Sequence, residues 1–554
     1  MATVAFLTAR RGAKAAAVFH PHARSRQPDM PQPARLIPAP ARPLVPALVL
    51  AAALGLPLPA LSQGLTAAEL WSGWQSAVAS AGGQLTAQEK REGDRLVLQN
   101  VQLLPSGEGE AALRLETLTL ISQADGSVGV VLPDQFPLVL DLPDDDGTAQ
   151  KVVLSVTAPG LKLQILGLGQ KAEFTAIGPS VSVTLDEMLP PPAAGVKTEI
   201  TAALADLNLR YKHELDIPVP ALDTALEVGS LHLELAGPED GSETPLRVSA
   251  DIDALRASAA GTFPPSTQVF LDTPTRADGT SDIQPFLTAL ADGLSVKASA
   301  EIGGLTATVT DHEAAAALTL AASSAGIALD KTVAAWQSLL TGAAMDVKPI
   351  GPDEPDTDMA FSLGEYRTAL SIGLNGLTAT QDWSLAYVMR DLVASPGVWA
   401  AIDPSGVLPA APINTMALDL KGRYALDPVA LTPGWSPLPS DPPPFTAFSF
   451  EINELALDGL GLTFNGTGGL GLDFGDLTTF EGFPLPAGRL HFVTVGAYGL
   501  LDKLSSIGLV SADDMSGARM LLLMAGKAGA EPDHLTTDLD FRDKSLFLNG
   551  QKIR

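Results

Sequence analysis

Apolar side chains recur at every second position through most of this chain. The segments RLVLQNVQLL (95–104), ALRLETLTLI (112–121), SVGVVLP (127–133), KVVLSVTA (151–158) and GLKLQILGL (160–168) alternate in this way, as do SVSVTLDEM (180–188), SLHLELAG (230–237), LRVSADIDAL (246–255) and LTATVT (305–310). Period two is the signature of a strand with one buried and one wet face. Turn dipeptides stand between these runs, among them Asp125-Gly126, Asp278-Gly279 and Asp292-Gly293. Close spacing of strands and turns predicts an antiparallel meander. The fold class expected is mainly β, a β-rich α+β protein built as a long curved antiparallel sheet or roll with a few amphipathic helices.

Helical spacing appears in few places. Thr66 with Glu69 forms a capping-box pattern ahead of Leu70, Trp71, Trp74 and Val78 on one face, and Gly82-Gly83 ends that helix. Trp71 and Trp74 are read as the stripe that docks it, in preference to an exposed recognition ridge. The spacing also predicts helices over 331–341, 384–394, 497–509 and 511–525, the last capped by Ser511. In ALDGLGLTFNGTGGLGLDF (456–474), Asn465-Gly466 is expected to supply a turn between two strands. Residues 533–554 are expected to close as a hairpin through Asp543-Lys544.

A different pattern precedes all of this. Arg35 and Arg42 lead into the apolar run 44–58, and Ala60-Leu61-Ser62 offers a small-x-small cleavage site. This reads as a secretory signal peptide over 30–62, with 1–29 an over-extended start before Met30. Prolines 46, 57 and 59 argue against an uncleaved anchor, and no later run is long enough to span a membrane. The location predicted is periplasmic, without a transmembrane segment after cleavage. The organisation expected is a leader (1–62), a β-rich half over 63–348 and a second over 359–554, divided at PIGPDEPDTD and forming one continuous unit. DPVALTPGWSPLPSDPPPF (427–445) reads as an extended connector.

Charge and composition narrow the chemistry. Acidic residues outnumber basic ones 63 to 35, a net charge of −28; losing residues 1–62 removes seven bases and one acid and leaves −34. Such a surface repels phosphate backbones and anionic headgroups, so nucleic acid is not an expected partner. Cysteine is absent, which excludes disulfides, thiolate nucleophiles and thiolate metal sites. The letters Gly466-Thr467-Gly468-Gly469-Leu470-Gly471 match a dinucleotide fingerprint, but Leu470, Leu472 and Phe474 continue as a strand where a helix is needed. No cofactor is expected. The acidic clusters Asp144-Asp145-Asp146-Gly147 and 353–358 lack calcium-loop spacing, and His213, His232, His312, His491 and His534 are dispersed, so no metal site is expected. Carboxylates such as Asp391 and Asp403, near Trp399, are the candidates for a hydrolase; Asp403-Pro404 reads more simply as a turn.

RDLVASPGVWAAIDPSGVLPAAP (390–412), LDLKGRY (418–424), LTFNGTGGLGLDFGDLTTFEGFPLPAG (462–488), DHLTTDLDF (533–541) and the closing LNGQKIR (548–554) occur in an order that resembles an exported alphaproteobacterial family, domain of unknown function 2125. AAELWSGWQSAVASAGGQL (67–85) is similar to its first helix. Ala410-Ala411 stand where that family often has Arg-Asp. The motif residues are Trp71, Trp74, Asp391, Trp399, Asp403, Pro404, Asn549, Gly550 and Gln551, read as structural. The chain also resembles, more distantly, envelope proteins of the AsmA type, whose alternating sheets are thought to hold lipids. The resemblance implies export and architecture and assigns no catalytic residue. The function expected is therefore a non-enzymatic envelope protein that binds an apolar or lipid-like component, or supports envelope assembly with a protein partner. The alternatives are a carboxylate hydrolase and an acidic interaction module.

Overall fold

A computed structural model describes residues 64–554 apart from 105–111, 144–148, 168–169, 190–197, 216, 239–243, 274–282, 351–358, 377, 410 and 428–444. The leader, both acidic clusters and most of the connector 427–445 lie outside the described residues. Among the described residues the chain forms one antiparallel sheet of 26 strands and six helices, mainly β as the alternation predicts.

Helix α1 (Ala67–Ser80) opens the described chain. Its Thr66 and Glu69 make the reciprocal capping box, and Leu70, Trp71, Trp74 and Val78 are its buried face. The sheet then runs as a meander. Strands β1 (Gln84–Glu92), β2 (Arg95–Leu104) and β3 (Ala112–Ser122) pair in sequence. Strands β4 (Ser127–Val131) and β5 (Gln135–Pro143) together face β3, while β6 (Ala149–Thr157) and β7 (Lys162–Leu166) together face β8 (Lys171–Leu189). Next come β9 (Glu199–Glu214), β10 (Ala221–Gly237) and β11 (Leu246–Thr262). Helices α2 (Ser266–Leu271) and α3 (Gln284–Ala291) precede β12 (Ser295–Ile302) and β13 (Gly304–Thr310), which keep a single register against β11. The pair β14 (Ala314–Leu320) and β15 (Ala322–Leu329) does the same against β16 (Val333–Pro349). The meander continues through β17 (Met359–Gly373), β18 (Gln381–Ala394), helix α4 (Pro396–Ile402), β19 (Ile413–Leu426), β20 (Phe445–Gly459), β21 (Leu462–Asp473) and β22 (Leu485–Val495). Helices α5 (Ala497–Ser506) and α6 (Ala512–Ala525) follow, then β23 (Lys527–Ala528), β24 (His534–Arg542), β25 (Ser545–Leu548) and β26 (Gln551–Lys552).

Three expectations need correction. Residues 331–341 and 384–394 lie in β16 and β18, not in helices, because strands on both sides satisfy their backbone groups and tertiary pairing overrides intrinsic propensity. Asn465 and Gly466 sit inside β21; the turn is made one step earlier by Leu460 and Gly461, both at positive φ (55° and 84°) as a tight hairpin demands. Helices α2, α3 and α4 are too short for their periodicity to register.

A transverse crease crosses this sheet. Asn100 in β2, Asp206 in β9, Ala254 in β11, Gly342 in β16 and Asp391 in β18 all sit mid-strand in the left-handed region, with φ between 49° and 57°. The registers line these residues up: Gly229 of β10 lies between Asp206 and Ala254, and Gly364 of β17 lies between Gly342 and Asp391. The glycines are there for space, since a Cβ on Gly229 would lie 3.0 Å from the Asp206 Cβ. The left-handed residue also slips the alternation by one. In β9 the apolar positions are 200, 202 and 204 on one side of Asp206 but 207, 209 and 211 on the other. In β16 they run 334, 336, 340 and then 343, 345, 347. The slip keeps both sets on one face: Leu98 and Val101, either side of Asn100, share a core, as do Leu115 and Leu118 around Glu116.

At Ala254 the strain of a left-handed Cβ, about 1 kcal/mol, opposes the similar entropic cost of glycine. Ala254→Gly is therefore expected to leave the denaturation midpoint unchanged or raised. Ala257→Gly, in the same strand at ordinary φ, is expected to lower stability by about 0.5–1 kcal/mol. Equal losses at both positions would contradict the crease.

Candidate apolar binding face

Helix α1 fills the crease at its N-terminal end. Leu70, Trp71 and Trp74 are at most 5 % exposed. A small cavity beneath them is lined by Leu118 and Leu163 from one side of the crease and by Leu103 and Leu113 from the other. Buried leucines and valines of β2 to β8 complete this core. A second, smaller cluster holds α2 and α3 on the sheet, with Phe270 and Phe286 at 5.3 Å packed near Val296 and Leu329.

Past the patch of β12 and β15 that α2 and α3 cover, the same apolar face continues without a helix over it among the described residues. Successive register partners Ala298, Ile327, Trp336, Leu370, Leu385, Leu420 and Ile452 form one row across seven strand positions. Strand spacing makes this row about 29 Å long. Its side chains are not buried: Ile327 is 47 % exposed, Trp336 46 % and Leu370 39 %. A parallel row, Leu329, Ala334, Ile372, Trp383, Gly422 and Phe450, lies beside it. There Gly422 leaves room for the Trp383 indole, which donates to the Ser449 carbonyl (3.0 Å) and stacks on Phe448 with centroids 5.2 Å apart.

The opposite face is ionic, with Val388, Ala386 and Ala417 buried on it. Arg390 meets Glu454 at 2.7 Å, Arg367 meets Asp419 at 3.1 Å and Lys421 meets Glu451 at 3.5 Å. At one edge of the apolar face an open cavity of about 410 Å³, more apolar than polar in its lining, takes in Leu222, Val296 and Leu329 together with Lys212, His213 and Lys297. His213 is buried there with its ring edge toward Tyr211, 5.6 Å away, and its register partner Leu222 belongs to the apolar face. The arrangement thus offers a long greasy surface with a recess beside it that carries a few charged groups on a largely apolar wall.

The residues singled out by sequence take structural places. Trp71 and Trp74 are core, and the Trp71 Nε1 donates to Glu89 at 2.8 Å. Asp391 is a crease residue. Asp403 caps α4, accepting from the Ser405 hydroxyl (2.6 Å) and the Leu408 N–H (2.6 Å), and these bonds hold its carboxyl below the usual carboxylate range. Trp399 is half-buried on α4, and Pro404 begins the turn after it. A general acid needs a raised pKa, so Asp403 is suited to fastening a loop. Asn549, at φ 51°, accepts from the Asp538 N–H and donates to the Ala525 carbonyl, joining the last hairpin to α6; Gly550 follows in the turn and Gln551 in β26 is exposed. Among the described residues no group of three His, Asp or Glu side chains is placed to hold a metal ion.

Trp336, Trp383 and the crease itself escaped sequence reasoning. Their signal was present as a one-residue change of alternation phase inside each long run, such as Leu204 to Leu207. Compared with models of protein families, with curated proteins and with solved structures, the chain has no match.

Proposed function

We propose that this is an exported, non-enzymatic envelope protein that holds an apolar or amphipathic chain, such as that of a lipid, on the face between β12 and β20. One observation carries the reading: no side chain is buried along the ~29 Å row from Ala298 to Ile452, and Ile327, Trp336 and Leu370 within it are 39–47 % exposed. That length accommodates the extended acyl chain of one leaflet, about half of a ~30 Å hydrocarbon core. An uncovered surface of this size is costly in water, and soluble chains seldom keep one without a ligand or partner. The largely apolar cavity at the edge of this face carries His213 and Lys297, which offer the head of such a molecule polar partners beside the chain. Export follows from the leader pattern, and the resemblance to exported families agrees with it.

The test is binding of a fluorescent fatty acid to the purified protein, with lipid extraction and native mass spectrometry of protein taken from the periplasm. The parent is expected to bind the probe and to carry a co-purifying lipid. Leu370→Asp with Leu385→Asp is expected to weaken probe binding at least tenfold, by placing two charges in the row. Absence of both probe binding and co-purifying lipid would overturn the carrier reading.

A further inference from the structure

The last long helix exposes an apolar surface that no neighbouring element among the described residues uses. In α6, Met520, Leu521, Leu523 and Met524 are 59–72 % exposed, and Leu509, just before its Ser511 cap, is 62 % exposed. The helix is firmly placed all the same. Ser511 caps it, accepting from the Asp514 N–H at 3.1 Å, and Asn549 donates to its final Ala525 carbonyl at 2.9 Å. Its last turn packs over Leu535, which a Cβ on Gly526 would approach to 3.2 Å.

Three observations together say what covers it. The first is charge. Residues 515–530 contain no carboxylate and carry Arg519 and Lys527, in a chain whose acids outnumber bases 63 to 35. Of the acids nearby, Asp513 and Asp514 lie in the first turn at the other end of the helix, Asp502 is paired with Arg519, Asp533 accepts from the Tyr498 and Gly499 N–H groups, and Glu531 is exposed just past the window. The strong repulsion that keeps the rest of this protein from an anionic surface is therefore weaker at this spot. The second is the kind of side chain. The patch is flexible methionine and leucine without an aromatic anchor, whereas protein interfaces concentrate their binding energy in Trp, Tyr and Arg seated in pockets. The third is continuity. Leu340, Tyr366, Met389, Met416, Leu457, Phe464, Thr494 and Leu535 are successive register partners, so a row of the apolar face ends under α6.

We infer that the C-terminal half of α6, with Leu509, is a membrane-contacting element that buries Met520, Leu521, Leu523 and Met524 in the outer part of a lipid leaflet. Apolar burial drives this contact, and the missing carboxylates permit it. It stands beside the lipid-holding face and does not depend on it. If both hold, α6 brings the open end of the apolar row to the bilayer surface.

The experiment is flotation of the full chain with phosphatidylcholine vesicles and with mixed phosphatidylcholine–phosphatidylglycerol vesicles, at low and at molar salt. The parent is expected to float with both, and binding is expected to survive molar salt because apolar burial is not screened. Leu521→Glu with Leu523→Glu is expected to cut the bound fraction at least tenfold. Both side chains are exposed, so the melting temperature and fatty-acid probe binding are expected to remain as in the parent; Leu370→Asp with Leu385→Asp should instead float normally. Failure of the parent to float, or flotation of the double glutamate variant at parental levels, would overturn the inference. So would a dimer in solution that the same two substitutions dissolve, which would make a second copy the occupant.

Discussion

Trp71→Ala is expected to cost about 3–5 kcal/mol, felt at one end of the sheet only. Trp71 is 2 % exposed, and its helix is the plug over both sides of the crease, sharing one small cavity with Leu118 and Leu163 on one and Leu103 and Leu113 on the other. Removing the indole empties the angle between them and strands the Glu89 carboxylate that it bonds at 2.8 Å. A meander pairs each strand mainly with its neighbours, so the loss should not spread evenly. Hydrogen exchange is expected to accelerate across β1 to β4 and to stay unchanged in β16 to β19. Uniform acceleration along the chain would show that the helix stabilises the sheet as a whole, contrary to this account. A single global unfolding free energy is a poor readout for so large a sheet, which is why a residue-resolved measurement is chosen.

The second large effect belongs to the crease. Gly364→Ala is expected to destabilise by about 1–3 kcal/mol, as overpacking does. Its new Cβ would lie 3.0 Å from the Asp391 Cβ and 2.8 Å from an Asp391 carboxylate oxygen. The cause predicts its own cure. Asp391→Gly removes those atoms and suits the left-handed φ of 54°, so by itself it should be near neutral. In the double variant most of the Gly364→Ala loss should disappear, a coupling of about 1 kcal/mol or more in chemical denaturation. Additive losses would mean that Gly364 is required for something other than the room it gives Asp391.

These two sites show how far the chain could be read from its letters. The strands from 95–104 to 305–310 were legible because alternation is local and survives any arrangement of neighbours. Helix α1 and the Ser511 cap of α6 were legible for the same reason, since a capping box satisfies its own helix. The segments 331–341 and 384–394 misled because alanine and leucine at mixed spacing fit either structure, and only pairing on both sides decides for β16 and β18. Asp391, Asp403 and Trp399 looked like a chemical cluster from their closeness in sequence. In space the first lies in the crease and the second caps a turn, two separate structural duties.

What the sequence determined by itself was the character of the strands from 95–104 to 305–310: two-faced, short of charge on one side, and joined to their neighbours by tight turns. The same pattern set the acidic, cysteine-free surface and the exclusion of thiol chemistry. Only the tertiary structure decided that the phase changes at Asn100, Asp206, Ala254, Gly342 and Asp391 fall on one line. Only it decided that the apolar side chains on both sides of that line share a face, and that α1 covers one end while Trp336 and Leu370 stay open. The reason is that register between strands is a non-local quantity. Each strand carries its own alternation, but where a kink in one meets a glycine in the next is fixed by pairing across dozens of residues.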